Sequence, residues 1–437
     1  MMASVKHRRY GSGEVIRERY GGFELQVRFG NGILRWLRRS ELRLDASPAL
    51  AVDREEPKPQ PRAVEGKQTA RRMIEAFRLG IVPRDCVDKF TFGRSSELQT
   101  VSTWLDSDAE NVLLLVGEYG AGKTHLLHHI RDRALHSGYV VSVVETDPGE
   151  APFDRPKKIY HHCVKELRFL SKKSEIPCGF RQFVLEALER GDLGTHPYFK
   201  HAQKAEERDL VWEWIEAGQS GPRPYYFEPT PSGWSFHSYW DLPNLYDHST
   251  AANIYTYLLS SLSWVAHNGM GYSGLLVLFD ESESVAMAGS GYRREKASNF
   301  LSALARVANN DHGIDGRPSS TGLIYSRMDR GASVPFAFRL PSRLKLLFAV
   351  TPGFEGWLPC ELRWAPSLSL TPLSRSAYDE IFSGVLRLYG EAYGLTRLPA
   401  SVSEVHKRLQ ELGGTTRQFV KGSVEIADLA RFTSRQR

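Results

Sequence analysis

A chain of 437 residues with 41% apolar and 25% charged side chains has room for two or three globular domains and a large core. No apolar run nears the roughly 18 residues of a membrane span, and the opening MMASVKHRRYGSG has no apolar stretch behind its charges to serve as a leader. Four scattered cysteines (Cys86, Cys163, Cys178, Cys360) without a C-x-x-C pair argue for reduced thiols and against structural zinc, so the expectation is a soluble cytoplasmic protein.

The net charge of +6 is concentrated at the start of the chain. Residues 1–45 hold ten Lys/Arg against five Asp/Glu, which places +5 of the +6 there. Clustered cations release counterions from a phosphate backbone, so this segment is the candidate contact for DNA. It alternates apolar and polar residues in GSGEVIRER, FELQVRFG and NGILRWLRRS, with Gly21-Gly22 and Gly30-Asn31-Gly32 as turns between them. That pattern predicts a small all-β barrel over residues 1–45. Its Gly11, Gly13 and Val15 give a G-x-G-x-V opening that resembles the SH3-like or Tudor-like modules of some bacterial helicases and transcription factors. Residues 46–66, with Pro48, Pro57, Pro59 and Pro61, read as a semi-rigid linker.

From residue 67 the pattern turns α/β. TARRMIEAFRLG predicts an amphipathic helix ending at Gly80, and FTFGRSSELQTVSTWL a turn followed by a helix. Four apolar runs predict buried parallel strands: NVLLLV, YVVSVVETD, GLLVLFD and RLKLLFAV. Helical runs separate them, notably IYTYLLSSLSWVAH. Residues 196–250 carry 12 aromatics in 55 positions, 22% against 11% for the whole chain. Large rings bury large areas, so these are read as the core of an insertion rather than a base-stacking surface. Beyond Pro372 the chain reads as helical: SRSAYDEIFSGVLRLYGEAYG, SVSEVHKRLQEL, then TTRQFVKGSVEIADLARF. The expected architecture is therefore an α/β phosphate-loop sheet flanked by helices over 67–370, with an insertion at about 150–250. A C-terminal helical lid over 371–437 and the N-terminal β-barrel complete it.

The chemistry centres on GEYGAGKT, residues 117–124, directly after NVLLLV and before the helical THLLHHIRDRAL. The spacing G-x-x-x-x-G-K-T is that of a phosphate-binding loop. Gly117 and Gly122 are expected to supply conformations a Cβ forbids, and Gly120 adds a third flexible link. Lys123 would reach the β- and γ-phosphates of ATP, Thr124 would ligate Mg²⁺, and the helix N-terminus would add its dipole. Asp280 ends a strand and suits a second Mg²⁺ ligand, while the adjacent Glu281 is placed to polarise the attacking water. Thr351, ending the fourth strand, could position that water. Gly414-Thr415-Thr416-Arg417 would bring Arg417 back to the γ-phosphate. The contiguous His161-His162-Cys163 points around a helix and cannot converge on a metal.

Together the FGRSSE box (Phe92–Glu97), the phosphate loop, LLVLFDE, Thr351, LSLTPLS (Leu368–Ser374) and Gly414-x-x-Arg417 resemble the AAA+ class, and within it the initiator-like ATPases. More narrowly, residues 67–430 resemble the ATPases of BREX phage-defence loci, the BrxC/BrxD group, in RRMIEAFRLGIVPRD, GYSGLLVLFDESES and YRREKASNFLSAL. The resemblance implies an ATP-hydrolysing, oligomerising protein acting with defence-system partner proteins on or near DNA. Such ATPases hydrolyse at a subunit interface with a neighbour's arginine, for which Arg293, Arg294 and Arg363 are the candidates. Unlike the initiators, the chain stops after the lid, without room for a winged helix. A rival expectation is an adaptor that holds ATP and docks a helicase, methyltransferase or polymerase without turnover of its own.

Overall fold

The computed structural model describes residues 4–7, 11–19, 24–29, 34–38, 42–44, 62–174, 176–204, 209–218, 225–230, 233–238, 245, 247, 251–311, 338–395, 407 and 415–435. The chain divides into two units, Met1–Val64 and Glu65–Arg437. The hairpin turns, most of the proline-rich linker, the SVSEVHKRLQEL helix except Lys407, and Gly414 lie outside the described residues.

In the first unit the period-two alternation becomes five strands: β1 (Ser4–His7), β2 (Gly11–Arg19), β3 (Glu24–Phe29), β4 (Leu34–Arg38) and β5 (Leu42–Leu44). They form one antiparallel sheet in the order β4-β3-β2-β1-β5. Successive side chains of a strand point to opposite faces. Leu25, Val27 and Phe29 are accordingly buried with Val5 on one face, while Arg28 is exposed on the other. Gly13 permits this packing. A Cβ there would lie 2.6 Å from Val27 Cγ1 and 2.8 Å from the Arg28 carbonyl oxygen. Among the described residues the pairing ends at β4 and β5, which gives an open five-stranded sheet.

The second unit begins on α1 (Arg62–Arg78) and continues through α2 (Ser95–Asp106), β6 (Val112–Val116), α3 (Lys123–His136) and β7 (Tyr139–Glu145). Then come α4 (Pro156–Lys165), the two-residue strands β8 (Arg168–Phe169) and β9 (Cys178–Gly179), α5 (Phe180–Glu189) and α6 (Asp209–Ile215). A hairpin of β10 (Tyr225–Thr230) and β11 (Gly233–Ser238) precedes α7 (Ala251–Asn268), β12 (Gly274–Asp280) and α8 (Gly291–Ala308). The chain closes with β13 (Leu344–Val350), α9 (Cys360–Arg363), β14 (Ser367–Ser369), α10 (Arg375–Tyr393) and α11 (Thr416–Arg435).

Seven strands make the central sheet, in the order β14-β6-β13-β12-β7-β8-β9. The first five are parallel, and β8 and β9 extend the edge antiparallel. Both faces are covered, which is why the strands read as unbroken apolar runs. Val112, Leu114, Val277 and Phe279 face a core shared with α4, α7 and α8. Their neighbours Leu113, Leu115, Leu276 and Leu278 face α2 and α3. Although β13 is late in sequence, it lies between β6 and β12. That order brings the ends of three strands side by side at one edge.

The aromatic-rich segment contributes to the core where it is described. Tyr198, Phe199, Trp212 and Trp214 are buried with Tyr255 and Tyr257 of α7. The remaining aromatics lie in the hairpin β10–β11, whose side chains are outside the described set, or at 239–246, where none is described. His196 stacks on Tyr257 at 5.1 Å and its Nδ1 accepts from the Tyr198 and Phe199 amides, both at 3.2 Å. Burial pushes His196 down to about 3 and His128 of α3 down to about 4, against an ordinary value near 6.5. An unfolded chain binds protons below about pH 6.5 that these folded imidazoles refuse down to about pH 4. Their contribution to stability is therefore complete above that window and lost as pH falls through it. The thermal midpoint is expected to drop between about pH 7 and about pH 5; a midpoint flat over that range would contradict the assignment.

The C-terminal helices do not stand apart from the start of the unit. Met73, Ile74 and Phe77 of α1 share one apolar cluster with Ile381, Val385 and Tyr389 of α10 and with Phe419, Val424 and Ala427 of α11. Asp428 accepts from Arg78 and from Tyr389 (2.6 Å) in the same cluster. Thus α1 packs with helices from the other end of the unit's sequence. A helix pair leaves an apolar stripe uncovered, and α1 covers it. Among the described residues no helix is long and apolar enough to cross a membrane, and all four cysteines are free thiols.

Candidate functional site

The carboxyl ends of β6, β13 and β12 carry the loop 117–124, Thr351 and Asp280-Glu281 respectively. The loop turns on left-handed backbone at Gly120 (φ 76°) and Gly122 (φ 100°), the latter capping α3. Only glycine adopts that region at little cost. At Gly117 the expectation needs correction, because its φ is not positive. What crowds a side chain there is Leu370: a Cβ would sit 3.1 Å from its Cβ, and Leu370 would have to give by a few tenths of an ångström. The position of a Cβ on Gly122 is open, with no atom within 4 Å, as a cradle for an anion requires.

Lys123 opens α3 and is buried. Its Nζ donates to the Gly117 carbonyl at 2.7 Å and to Thr351 Oγ1 at 3.0 Å. The Thr351 hydroxyl in turn donates to Glu283 Oε1 at 2.6 Å. The next residue of α3, Thr124, hydrogen-bonds through its side chain to Asp280. The structure thus joins Lys123, Thr124, Asp280 and Thr351 in one constellation. Burial pushes the Asp280 carboxyl above its ordinary range, with the Thr124 bond pulling the other way. Two hard oxygen donors on adjoining elements fit Mg²⁺.

Glu281 sits in the left-handed region (φ 53°, ψ 39°), a strained conformation for a residue with a Cβ. Thr146, just after β7, fixes this turn: its amide donates to the Asp280 carbonyl at 3.0 Å, and its hydroxyl, 2.8 Å from the carbonyl oxygens of both Asp280 and Glu281, shares its one proton between them. Ser284 Oγ donates to Thr146 Oγ1 at 3.0 Å. Burial first, and then the charge of Glu283, push the Glu281 carboxyl above its ordinary range. A carboxylate shifted that way is a better proton acceptor near neutral pH.

Arg94 of the FGRSSE box holds the loop from behind. It is buried against Glu97 at 2.7 Å and donates to the carbonyls of Thr371 (2.7 Å) and Ala121 (3.0 Å). The Ser96 hydroxyl and Arg94 keep Glu97 below the ordinary range, although burial alone would raise it. Removing one partner of such a buried pair typically costs about 3–5 kcal/mol. The box therefore ties α2, the phosphate loop and the entry to the C-terminal helices together. Sequence reasoning assigned roles to none of Glu283, Thr146, Arg94 and Glu97. The signals available were a polar residue ending a neighbouring strand and a second glutamate in DESES.

Arg417 meets the loop by way of Tyr119. Its Nη1 donates to the Tyr119 hydroxyl at 2.9 Å, and the guanidinium lies 5.3 Å from the ring centroid. Thr415 packs so close that a Cβ on Gly120 would come within 2.8 Å of its own. Of the interface candidates, Arg293 pairs with buried Asp154 at 2.7 Å and Arg363 donates to the Gly356 carbonyl at 2.8 Å. Arg294 lies over the exposed ring of Trp357 at 5.5 Å. In the His161-His162-Cys163 stretch, His161 Nδ1 bonds to the Glu216 carbonyl at 2.7 Å and Cys163 is buried.

Residues 66–181 match the model of a family described as BREX system ATP-binding protein BrxC/D. The match takes in most of α1, the Arg94–Glu97 pair, the phosphate loop and β7, and ends before β12. No curated protein matches the chain.

Proposed function

We propose that this chain is an ATP-hydrolysing switch of a BREX-type anti-phage system, of the AAA+ class, acting in the cytoplasm on or near DNA. The observation that carries the reading is the junction of Lys123, Thr124, Asp280 and Thr351 at one edge of a parallel sheet. Alone, each of these residues has a bland explanation; adjoining a glycine loop at a helix N-terminus, they suit a nucleotide triphosphate. The family match over 66–181 supports ATP as the ligand.

In this reading the amides of Gly120–Thr124 cradle the phosphates, and Lys123 leaves the Gly117 carbonyl to neutralise them. Thr124 and Asp280 would hold Mg²⁺, which supplies positive charge to the phosphate oxygens. Glu281 accepts a proton from water as the water oxygen bonds to the γ-phosphorus and ADP departs. Thr351 orients that water. Arg417 senses the γ-phosphate from the helical lid that α1, α10 and α11 form. The N-terminal five-stranded sheet brings the basic excess to DNA, and a second copy of the chain supplies an interface arginine. Defence-system proteins are the further partners.

Steady-state ATP turnover by the purified chain, with and without duplex DNA, tests this. Turnover that rises on adding DNA, and falls again as salt screens the contact, is the expected result. Mg·ATP binding without turnover in either condition would instead leave an adaptor that holds ATP while docking its partner.

A further inference from the structure

We propose that Glu283 is a positioning residue for hydrolysis, acting through Thr351 by fixing the direction of its hydroxyl proton. The inference rests on the hydrolytic reading of the site and assigns a residue that reading leaves idle. An ammonium has donors only, so at the 3.0 Å contact with Lys123 Nζ the Thr351 oxygen must be the acceptor. A carboxylate has acceptors only, so at 2.6 Å Thr351 donates its single proton to Glu283 Oε1. The orientation of this hydroxyl is therefore set by its partners. The other carboxylate oxygen, Oε2, is buried, and the Glu281 side chain lies against this carboxylate.

Thr351 stays in place once Lys123 turns to the phosphates. Its proton remains committed to Glu283, and the lone pair that Lys123 vacates faces the site. Thr351 then accepts a hydrogen bond from the attacking water and does not donate to a phosphate oxygen. Such a contact turns the water oxygen's own lone pair toward phosphorus, while the second water proton is left for Glu281. Without Glu283 the hydroxyl becomes a free rotor, and its proton would go to the nearest phosphate oxygen. The water would then lose one of its two acceptors.

The test is a double-mutant cycle on Glu283→Ala and Thr351→Val, reading kcat, KM and calorimetric Mg·ATP affinity, with thermal midpoints to confirm folding. Glu283→Ala is expected to lower kcat by about ten- to a hundredfold, with affinity held within about twofold. Thr351→Val should do the same, and the double variant, compared on the pH plateau where the Glu281 base is ionised in every variant, should be no slower than Thr351→Val alone, because both changes remove one contact. Glu283→Gln, whose amide oxygen still accepts from Thr351, should recover activity to within a few-fold of the parent. Losses that multiply in the double variant would overturn the proposal, as would a Gln variant as slow as Ala. Those results leave the hydrolytic reading standing. A parent chain that binds Mg·ATP without turning it over removes that reading and this role with it.

Discussion

Replacing Lys123 by alanine is expected to reduce Mg·ATP affinity at least about a hundredfold, a loss of about 2.7 kcal/mol. The ammonium is a buried cation at the mouth of the loop, and it donates to the Gly117 and Glu118 carbonyls and to the Thr351 hydroxyl. All three are neutral acceptors. Exchanging them for a triphosphate gains a charge-assisted contact in a site partly screened from water, where such bonds are strongest. Alanine forfeits that gain and leaves the Gly117 carbonyl without its ammonium partner. Lys123→Arg should fare little better, since a planar fork cannot occupy a point-charge position enclosed by the loop. Calorimetry on the folded variant decides the matter. An affinity within a few-fold of the parent would mean that the loop does not bind phosphate as read. A nucleotide-dependent rise in thermal midpoint, expected of the parent, should disappear in the variant.

Local signals were legible and distant ones were not. NVLLLV, YVVSVVE and GLLVLFD announced β6, β7 and β12 because strands buried on both faces need no polar alternation. The phosphate loop was legible because its chemistry fits within eight consecutive residues. Thr351 was placed by its position at a strand end, and the insertion of β13 between β6 and β12 is what puts it against Lys123. The partnership of α1 with α10 and α11 could not be read. It depends on side chains such as Arg78 and Asp428, which stand 350 residues apart. Neither was the role of Glu283 visible: DESES offers two glutamates, and nothing in their order says which one faces the threonine of another strand. Gly117 shows a subtler limit. The spacing marks the position as glycine, but only the fold shows that crowding by Leu370, rather than the backbone angle, acts on a side chain there.

Glu281→Gln is expected to separate binding from turnover, cutting hydrolysis at least about a hundredfold while Mg·ATP affinity stays near that of the parent. The change keeps the volume and the left-handed backbone cost equal, since glutamine is no better suited than glutamate to φ 53°. The bonds from Thr146 reach the backbone carbonyls of this turn and survive the substitution. What disappears is the proton acceptor. Burial and the neighbouring Glu283 hold the Glu281 carboxyl above its ordinary range, so the base is lost to protonation at a higher pH than a solvated carboxylate would be. The acidic limb of the parent's kcat profile should therefore lie above pH 4.5, the ordinary glutamate value, and the residual activity of the Gln variant should lack that limb. Turnover in Glu281→Gln that equals the parent would assign the base elsewhere. Lost affinity in step with lost turnover would instead make Glu281 part of the binding frame, like Asp280 beside it.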